Sequence, residues 1–177
     1  LLTGRARFAS AVARGKLFVL GGYGEHHRAL SSAEVLDPDM MTWAPLPPMS
    51  VARAALGAAA HDGLVCAVGG SSSAGQWAPG GDGSGTHRTA EALDSEGWRA
   101  LPPMSHPRSR VALAVLGSRL FAIGGWDEAE RNTASVEALD LERAESWVPS
   151  APMPQALRSH VAAAVQGKLF VAGGFNG

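Results

Sequence analysis

A pair of adjacent glycines ends a short apolar segment at four places in this chain of 177 residues. From the first glycine of one pair to the first glycine of the next, the intervals are 48, 55 and 49 residues. Such a period is too long for helical hairpin repeats and is typical of repeats that contain four β-strands. The chain is therefore predicted to be a tandem array. The pairs are Gly21-Gly22, Gly69-Gly70, Gly124-Gly125 and Gly173-Gly174.

Other markers recur in step with the glycines. A Glu-x-Leu-Asp segment, a tryptophan and a Pro-Met dipeptide follow in that order, and an arginine then opens the next apolar segment. Aligning these markers makes Arg5, Arg53, Arg108 and Arg158 equivalent. On this alignment the whole of residues 1–177 is one repeat region, with repeats at about 5–52, 53–107 and 108–157 and a partial one at 158–177.

The apolar segments are five or six residues long and are bounded by Gly, Pro, Asp or Ser, which is typical of strands and too short for helices. Two of them precede each glycine pair and form a predicted hairpin. The Glu-x-Leu-Asp and tryptophan segments supply a third and a fourth strand. The sequence thus predicts an all-β fold of four-stranded antiparallel sheets stacked around an axis, with each tryptophan anchoring one sheet to its neighbour. The predicted hairpin turns lie at Gly15, Gly63, Gly117 and Gly167.

Composition narrows the function classes. A formal net charge of -1 removes the long-range positive field of a dedicated nucleic-acid binder. No run of 18 apolar residues occurs, so no membrane span is predicted, and the default compartment is the cytoplasm. Cys66 is the only cysteine, so the chain has no internal disulfide, and its apolar neighbours predict a buried structural thiol.

The order Glu-Val-Leu-Asp-Pro, Thr42-Trp43, Leu46-Pro47-Pro48-Met49 and Arg53 resembles the kelch repeat, and the resemblance covers essentially the whole chain. It implies a kelch-type β-propeller with three full blades and half of a fourth. Leu36, Leu93 and Leu139 stand where the family usually has Tyr. A closed ring of this family needs about six or seven blades, so the chain is expected to be a fragment of a longer protein; self-association of two copies is the alternative.

The residues directly after the glycine pairs are candidates for partner binding. Propellers bind ligands through loops at the ends of the channel, and in kelch domains that bind peptides these positions often contribute to the ligand surface. The alternative is that they serve packing alone or are simply exposed to solvent. The four residues are Tyr23, Ser71, Trp126 and Phe175.

Arginines beside the same channel mouth are further candidates. Guanidinium groups bind carboxylates through paired hydrogen bonds, so an acidic peptide is the predicted ligand. For Arg53, Arg108 and Arg158 we favour internal pairing with the recurring glutamates, Glu34, Glu91 and Glu137. Positions two residues later break the repeat, and Arg7 and Arg110 are the stronger binding candidates there. That second set is Arg7, Ala55, Arg110 and His160.

The segment 71–89 is longer than its counterparts and is rich in Gly and Ser, a composition typical of flexible linkers. Trp77 within it either docks a partner or packs back on the blade, and the sequence leaves both alternatives open. The few histidines and acids show no metal-ligand spacing, so no metal or cofactor is predicted.

The resemblance implies a non-catalytic protein-interaction module that binds a protein or peptide on the propeller face. Many kelch proteins are substrate adaptors of cullin-type ubiquitin ligases and others bind actin, so both are implied partners. The adaptor role depends on BTB and BACK domains, which these 177 residues do not contain. The alternative is part of a kelch-type sugar oxidase or isomerase with its site outside this segment. No catalytic residue is predicted within the chain.

Overall fold

The computed structural model describes residues 1–72, 85–129 and 131–177. Three antiparallel four-stranded sheets and a hairpin follow one another along these residues. The first two sheets have the strand orders β1-β2-β3-β4 and β5-β6-β7-β8. Their strands are β1 (Ala9–Ala13), β2 (Lys16–Leu20), β3 (Ala33–Asp37), β4 (Thr42–Leu46), β5 (Gly57–His61), β6 (Leu64–Val68), β7 (Ala90–Leu93) and β8 (Trp98–Leu101).

The third sheet has the order β10-β11-β13-β14, a two-stranded pair β9-β12 lies at its end, and the hairpin is β15-β16. We refer to the three sheets as blades 1 to 3 and to the hairpin as blade 4. The strands are β9 (Arg108–Ser109), β10 (Ala112–Leu116), β11 (Arg119–Ile123), β12 (Trp126–Asp127), β13 (Val136–Asp140), β14 (Val148–Ser150), β15 (Arg158–Val165) and β16 (Lys168–Phe175).

The first strands of successive blades pack against one another: β1 contacts β5, β5 contacts β10, and β10 contacts β15. The blades are therefore stacked around a common axis, and the architecture is a partial β-propeller. The fold predicted from the repeats is confirmed.

The predicted hairpin turns are also confirmed. Ala13 pairs with Lys16, and His61 pairs with Leu64, so each loop has two residues. In Arg14-Gly15 and Asp62-Gly63 both residues have positive φ, as a type I′ turn requires. The short loops fix the register that turns one face of each blade toward its neighbour.

The hydrophobic core lies between blades rather than within them. Along β1 the alanines are buried, whereas Ser10 and Val12 are exposed. Small side chains on the first strands let the sheets approach, and larger ones fill the wider part of each interface. Between blades 1 and 2 the larger residues include Leu20, Met49, Leu56 and Leu93; between blades 2 and 3 they include Met104, Leu113, Leu139 and Trp147.

The glycine pairs allow close contact between neighbouring blades. A Cβ on Gly21 would lie 2.2 Å from the Arg53 carbonyl oxygen, and a Cβ on Gly69 would lie 2.4 Å from that of Arg108. The second glycine of the pair hydrogen-bonds to the same oxygen: the Gly22 N–H donates to the Arg53 carbonyl at 2.9 Å. The backbone of one blade therefore bonds directly to the strand that opens the next.

A buried arginine connects each of these junctions to the blade that follows. The Arg53 Nη1 donates to the carbonyl oxygens of Gly69 and Thr89, and its Nη2 lies 2.8 Å from the Glu91 carboxylate. The other Glu91 oxygen accepts a hydrogen bond from the Ser50 N–H at 2.9 Å. The guanidinium and the carboxylate are almost fully enclosed, so both charges depend on these partners.

The predicted internal pairing is correct for two of its three arginines but has a different order. Each arginine pairs with the glutamate that follows it: Arg53 with Glu91, and Arg108 with Glu137. Glu34 pairs with Arg5 at 2.5 Å instead. The reason is topological, since the arginine enters its own blade beside the third strand of that blade.

The predicted place of Arg158 in this series is wrong. The N–H of Gly125 donates to the carbonyl of Leu157, as that of Gly22 does to Arg53, so Leu157 is the structural equivalent. Arg158 lies one residue later, at the position of Ala54 and Ser109. Arg158 lies five positions after Met153, whereas Arg53 lies four positions after Met49.

The tryptophans connect neighbouring blades, as predicted. The indole N–H of Trp98 donates to the Pro47 carbonyl at 2.8 Å, and that of Trp147 donates to the Pro102 carbonyl at 2.7 Å. Trp98 opens the outer strand of blade 2 and Trp147 directly precedes that of blade 3, and each bond runs to the Pro-Met loop that leaves the preceding blade. No helix among the described residues has the length and apolar character needed to cross a membrane.

Glu91→Ala should reduce the free energy of unfolding by about 3 kcal/mol or more, because the buried Arg53 guanidinium would lose its counter-charge. Chemical denaturation followed by circular dichroism measures this loss. Lys16→Ala is the matched control, since the Lys16–Asp37 pair is exposed, and it should leave the midpoint nearly unchanged. Equal effects of the two variants would contradict a structural role for the buried pairs.

Cys66 should not react with a thiol reagent while the chain is folded. Its side chain is fully buried, and burial raises its pKa to about 12, so the thiolate is scarce at neutral pH. Reaction with Ellman's reagent should require denaturant. Rapid modification of the native protein would contradict this environment.

Candidate functional site

The four residues after the glycine pairs occupy equivalent positions on one face of the blades. Each pairs with a residue of the segment that opens its own blade. In blades 1 to 3 that residue lies three positions before the first long strand begins, and in blade 4 it is the first residue of β15. The structure thus brings the four predicted positions to one rim of the array. The bridged pairs are Ala6–Tyr23, Ala54–Ser71, Ser109–Trp126 and Arg158–Phe175.

Only two of the four present a large aromatic surface on the face. Tyr23 and Ser71 are buried and hydrogen-bond to each other through their side chains. Burial raises the pKa of Tyr23, and the nearby charges of Arg7 and Arg110 oppose that rise. Trp126 is half-buried, and Phe175 is 50% exposed. The aromatic surface open to a partner is therefore formed by Trp126 and Phe175.

A cavity of about 350 Å³ lies beside these residues, where the first strands begin. Four residues at its edge have positive φ and lead the chain into the first strand of each blade: Arg7, Ala55, Arg110 and Ser159. The predicted set had His160 in place of Ser159. The same one-residue shift that moves Arg158 accounts for this error.

The charges around the cavity are positive and have no acidic partners among the described residues. The ion pairs among the described residues do not include Arg7, Arg110 or Arg158. Burial lowers the pKa of Arg110, and the like charges of Arg7 and Arg158 lower it further. This arrangement favours binding of an anion, because a negative group would relieve the repulsion between the guanidinium groups.

The guanidinium of Arg158 packs against two aromatic rings. Its guanidinium carbon lies 4.2 Å from the centroid of Trp126 and 4.4 Å from that of Phe175. Its Nη1 donates to the Asn132 Oδ1 at 2.8 Å, and the Asn132 Nδ2 donates to the Phe175 carbonyl at 3.1 Å. Neither Asn132 nor this role of Arg158 was predicted from the sequence. The longer spacing after Met153 was the signal that could have revealed it.

His160 lines the cavity at the position that Phe8, Leu56 and Val111 occupy in the other blades. It is 6% exposed, and neither ring nitrogen has a hydrogen-bond partner of normal geometry in the part of the chain that the structure describes. Burial lowers the pKa of His160, and the Ile123 backbone offsets part of this effect. His160 therefore occupies a position that is apolar in the other blades, and it is not the counterpart of Arg7 and Arg110.

Trp77 lies outside the described residues. Within the parts of the chain that the structure describes, no three His, Cys, Asp or Glu side chains are grouped so that they could bind a metal ion. The polar side chains that line the cavity are those of Arg7, Arg110, Ser159 and His160. Of these, Arg7 and Arg110 can only donate hydrogen bonds, which suits the cavity to an anion.

The family model of the Kelch motif matches residues 4–50 and 107–154, more than half of the chain. The chain belongs to the kelch-repeat family. The glycine pairs, the buried arginines and the tryptophan anchors described above are thus features of its kelch repeats.

Several Kelch-like proteins are similar to these repeats. Kelch-like protein 40 of Mus musculus is 28% identical over 74% of this chain and 20% of its own length. Kelch-like protein 35 of Mus musculus is 28% identical over 96% of this chain and 27% of its own length. Kelch-like ECH-associated protein 1B of Danio rerio is 31% identical over 62% of this chain and 18% of its own length. The chain thus spans about a fifth of the length of the curated relatives that it matches.

The solved structure of YjhT has the same fold. It superimposes with a TM-score of 0.80 over 96% of this chain and 59% of its own chain, at 18% sequence identity. At this level of identity the match concerns the kelch propeller fold alone.

His160→Leu should raise the melting temperature and reduce its dependence on pH. The unfolded imidazole titrates near 6.5, whereas burial holds the pKa of the folded group lower, so the unfolded state binds more protons as pH falls below about 6.5. The wild type should therefore lose stability from pH 7 to pH 5, as measured by scanning calorimetry. His87 contributes in the same direction because burial also lowers its pKa. An unchanged pH profile in His160→Leu would contradict this assignment.

Proposed function

We propose that these kelch blades form part of a non-catalytic protein-interaction module that binds an acidic segment of a partner. The binding face is the rim formed by Arg7, Arg110, Trp126 and Phe175. The observation that carries the proposal is the cluster of guanidinium groups without carboxylate partners among the described residues, beside two accessible aromatic rings. Arginines and aromatics are the residue types that dominate binding at protein interfaces.

The charge distribution supports an acidic ligand rather than a general affinity for polyanions. The chain as a whole has a formal net charge of -1, so the positive potential is local to the rim. A carboxylate at the cavity would accept paired hydrogen bonds from Arg7 or Arg110. Apolar side chains on either side of that acid would contact Trp126 and Phe175.

The relatives support a protein as the partner. The name of Kelch-like ECH-associated protein 1B records association with another protein. By resemblance to the family, we propose that the whole protein is a substrate adaptor of cullin-type ubiquitin ligase machinery, with actin as the alternative partner. The segment would then supply part of the surface that selects the substrate.

We propose no catalytic role for the segment. Arg7, Arg110, Ser159 and His160 line the cavity, a set suited to holding an anion rather than to paired acid and base chemistry on a sugar. A kelch-type sugar oxidase or isomerase with its site in another part of the protein remains the alternative for the whole protein.

Arg110→Ala and Trp126→Ala should each reduce partner recovery several-fold. The test is affinity purification of the tagged protein from cells, with quantitative mass spectrometry, followed by binding of the recovered partner's acidic and charge-neutralised peptides. Arg143→Ala is the matched control, because Arg143 is an exposed arginine at the opposite end of blade 3. Unchanged recovery in both rim variants, or equal binding of the acidic and neutralised peptides, would remove this function.

A further inference from the structure

We propose that Arg158 and Arg110 form a site for a phosphomonoester dianion, of the kind carried by a phosphorylated serine. The site lies at the junction of blades 3 and 4, on the rim that the proposed function uses. This inference rests on the proposed function only because both use the same face of the blades. The phosphate group itself is expected to bind without the rest of a partner protein.

The surroundings of Arg158 leave one edge of its guanidinium available. The rings of Trp126 and Phe175 both pack against the guanidinium, and Asn132 accepts the hydrogen bond of Nη1. The N–H groups on Nε and Nη2 donate to no described residue, and neither nitrogen is among the enclosed polar atoms without a partner. The accessible edge is therefore the side that presents two parallel donors.

Two parallel N–H donors match two oxygens of a phosphate or a carboxylate. The aromatic rings and Asn132 fix the direction of this edge before any ligand arrives, so little side-chain entropy is lost on binding. An arginine that was free to move would gain the same hydrogen bonds at a larger entropic cost.

The second guanidinium distinguishes a dianion from a single carboxylate. Arg110 lies over the same indole ring as Arg158, with guanidinium carbons 5.8 and 4.2 Å from its centroid. The two groups repel each other, which contributes to the lowered pKa of Arg110. One carboxylate would neutralise only one charge, whereas a phosphomonoester carries nearly two negative charges and three acceptor oxygens.

The nearest acid in sequence does not occupy the site. Asp127 follows Trp126, but its carboxylate accepts hydrogen bonds from the backbone and side chain of Arg131. A structural role of Arg158, as a link between blades 3 and 4, is compatible with the same contacts. The test must therefore measure ligand binding as well as stability.

The test uses three matched probes, N-acetyl-phosphoserine-N-methylamide and the corresponding glutamate and serine compounds. Each is titrated into the protein while the indole N–H resonances are recorded by NMR. The phosphoserine probe should bind about tenfold or more tightly than the glutamate probe and should shift the Trp126 resonance, whereas the serine probe should not bind. Equal affinity for the phosphoserine and glutamate probes would overturn the proposal.

Three variants of the site and one control variant separate binding from structure. Arg158→Lys keeps the charge but loses the planar pair of donors, so it should weaken binding of the phosphoserine probe by about tenfold. Arg110→Ala should weaken that binding by about the same factor. Asn132→Ala should weaken it less, since the guanidinium remains but is no longer held. Arg143→Ala should bind as the wild type does. Wild-type affinity in folded Arg158→Lys and Asn132→Ala would overturn the site and leave Arg158 as a structural link.

The outcomes also separate this inference from the proposed function. Loss of partner recovery in Arg110→Ala, with equal binding of the phosphoserine and glutamate probes, would retain the acidic-partner function and remove the dianion site. Tight phosphoserine binding with unchanged partner recovery in the rim variants would retain the dianion site and remove the proposed function.

Discussion

The buried arginine that opens a blade is the interaction on which the array depends. The backbone of Arg53 bonds to blade 1, through Leu30 and Gly22, while its side chain is enclosed in blade 2 and paired with Glu91. One residue therefore connects two sheets through different groups. Glycine is needed at these positions because this connection brings two backbones into contact. The glutamate recurs because the enclosed guanidinium needs a counter-charge.

The same constraint explains why the rim can serve another purpose. Where the arginine is enclosed, its Nη1 and Nη2 donate to carbonyls and a carboxylate of the fold. At blade 4 the enclosed position is taken by Leu157, and the arginine is displaced by one residue to the rim. Arg158 therefore keeps two donors outside the internal network. A shift of one residue in the spacing thus moves an arginine from an enclosed structural position to the rim, where its donors are available to a ligand.

The sequence predicted more of the fold than of the site. The repeats predicted the strand order, the turns and the packing role of residues such as Trp98, because the same residue types recur at equivalent positions in each copy. The rim residues Arg7, Arg110 and Trp126 were found because they break or follow the repeat. Asn132 was missed, because nothing in its own segment distinguishes it from other loop residues. His160 and Arg158 were misplaced because the alignment assumed equal spacing.

By itself, the sequence determined the kelch repeat, the all-β blades and the identity of the recurring markers, since these depend on periodicity and local turn chemistry. Only the tertiary structure decided that Arg158 lies on the rim rather than with the enclosed Arg53 and Arg108. It also decided that Tyr23 is buried whereas Trp126 and Phe175 present their rings beside Arg158. These outcomes depend on contacts between blades, where a shift of one residue reverses the side of a strand that a side chain occupies.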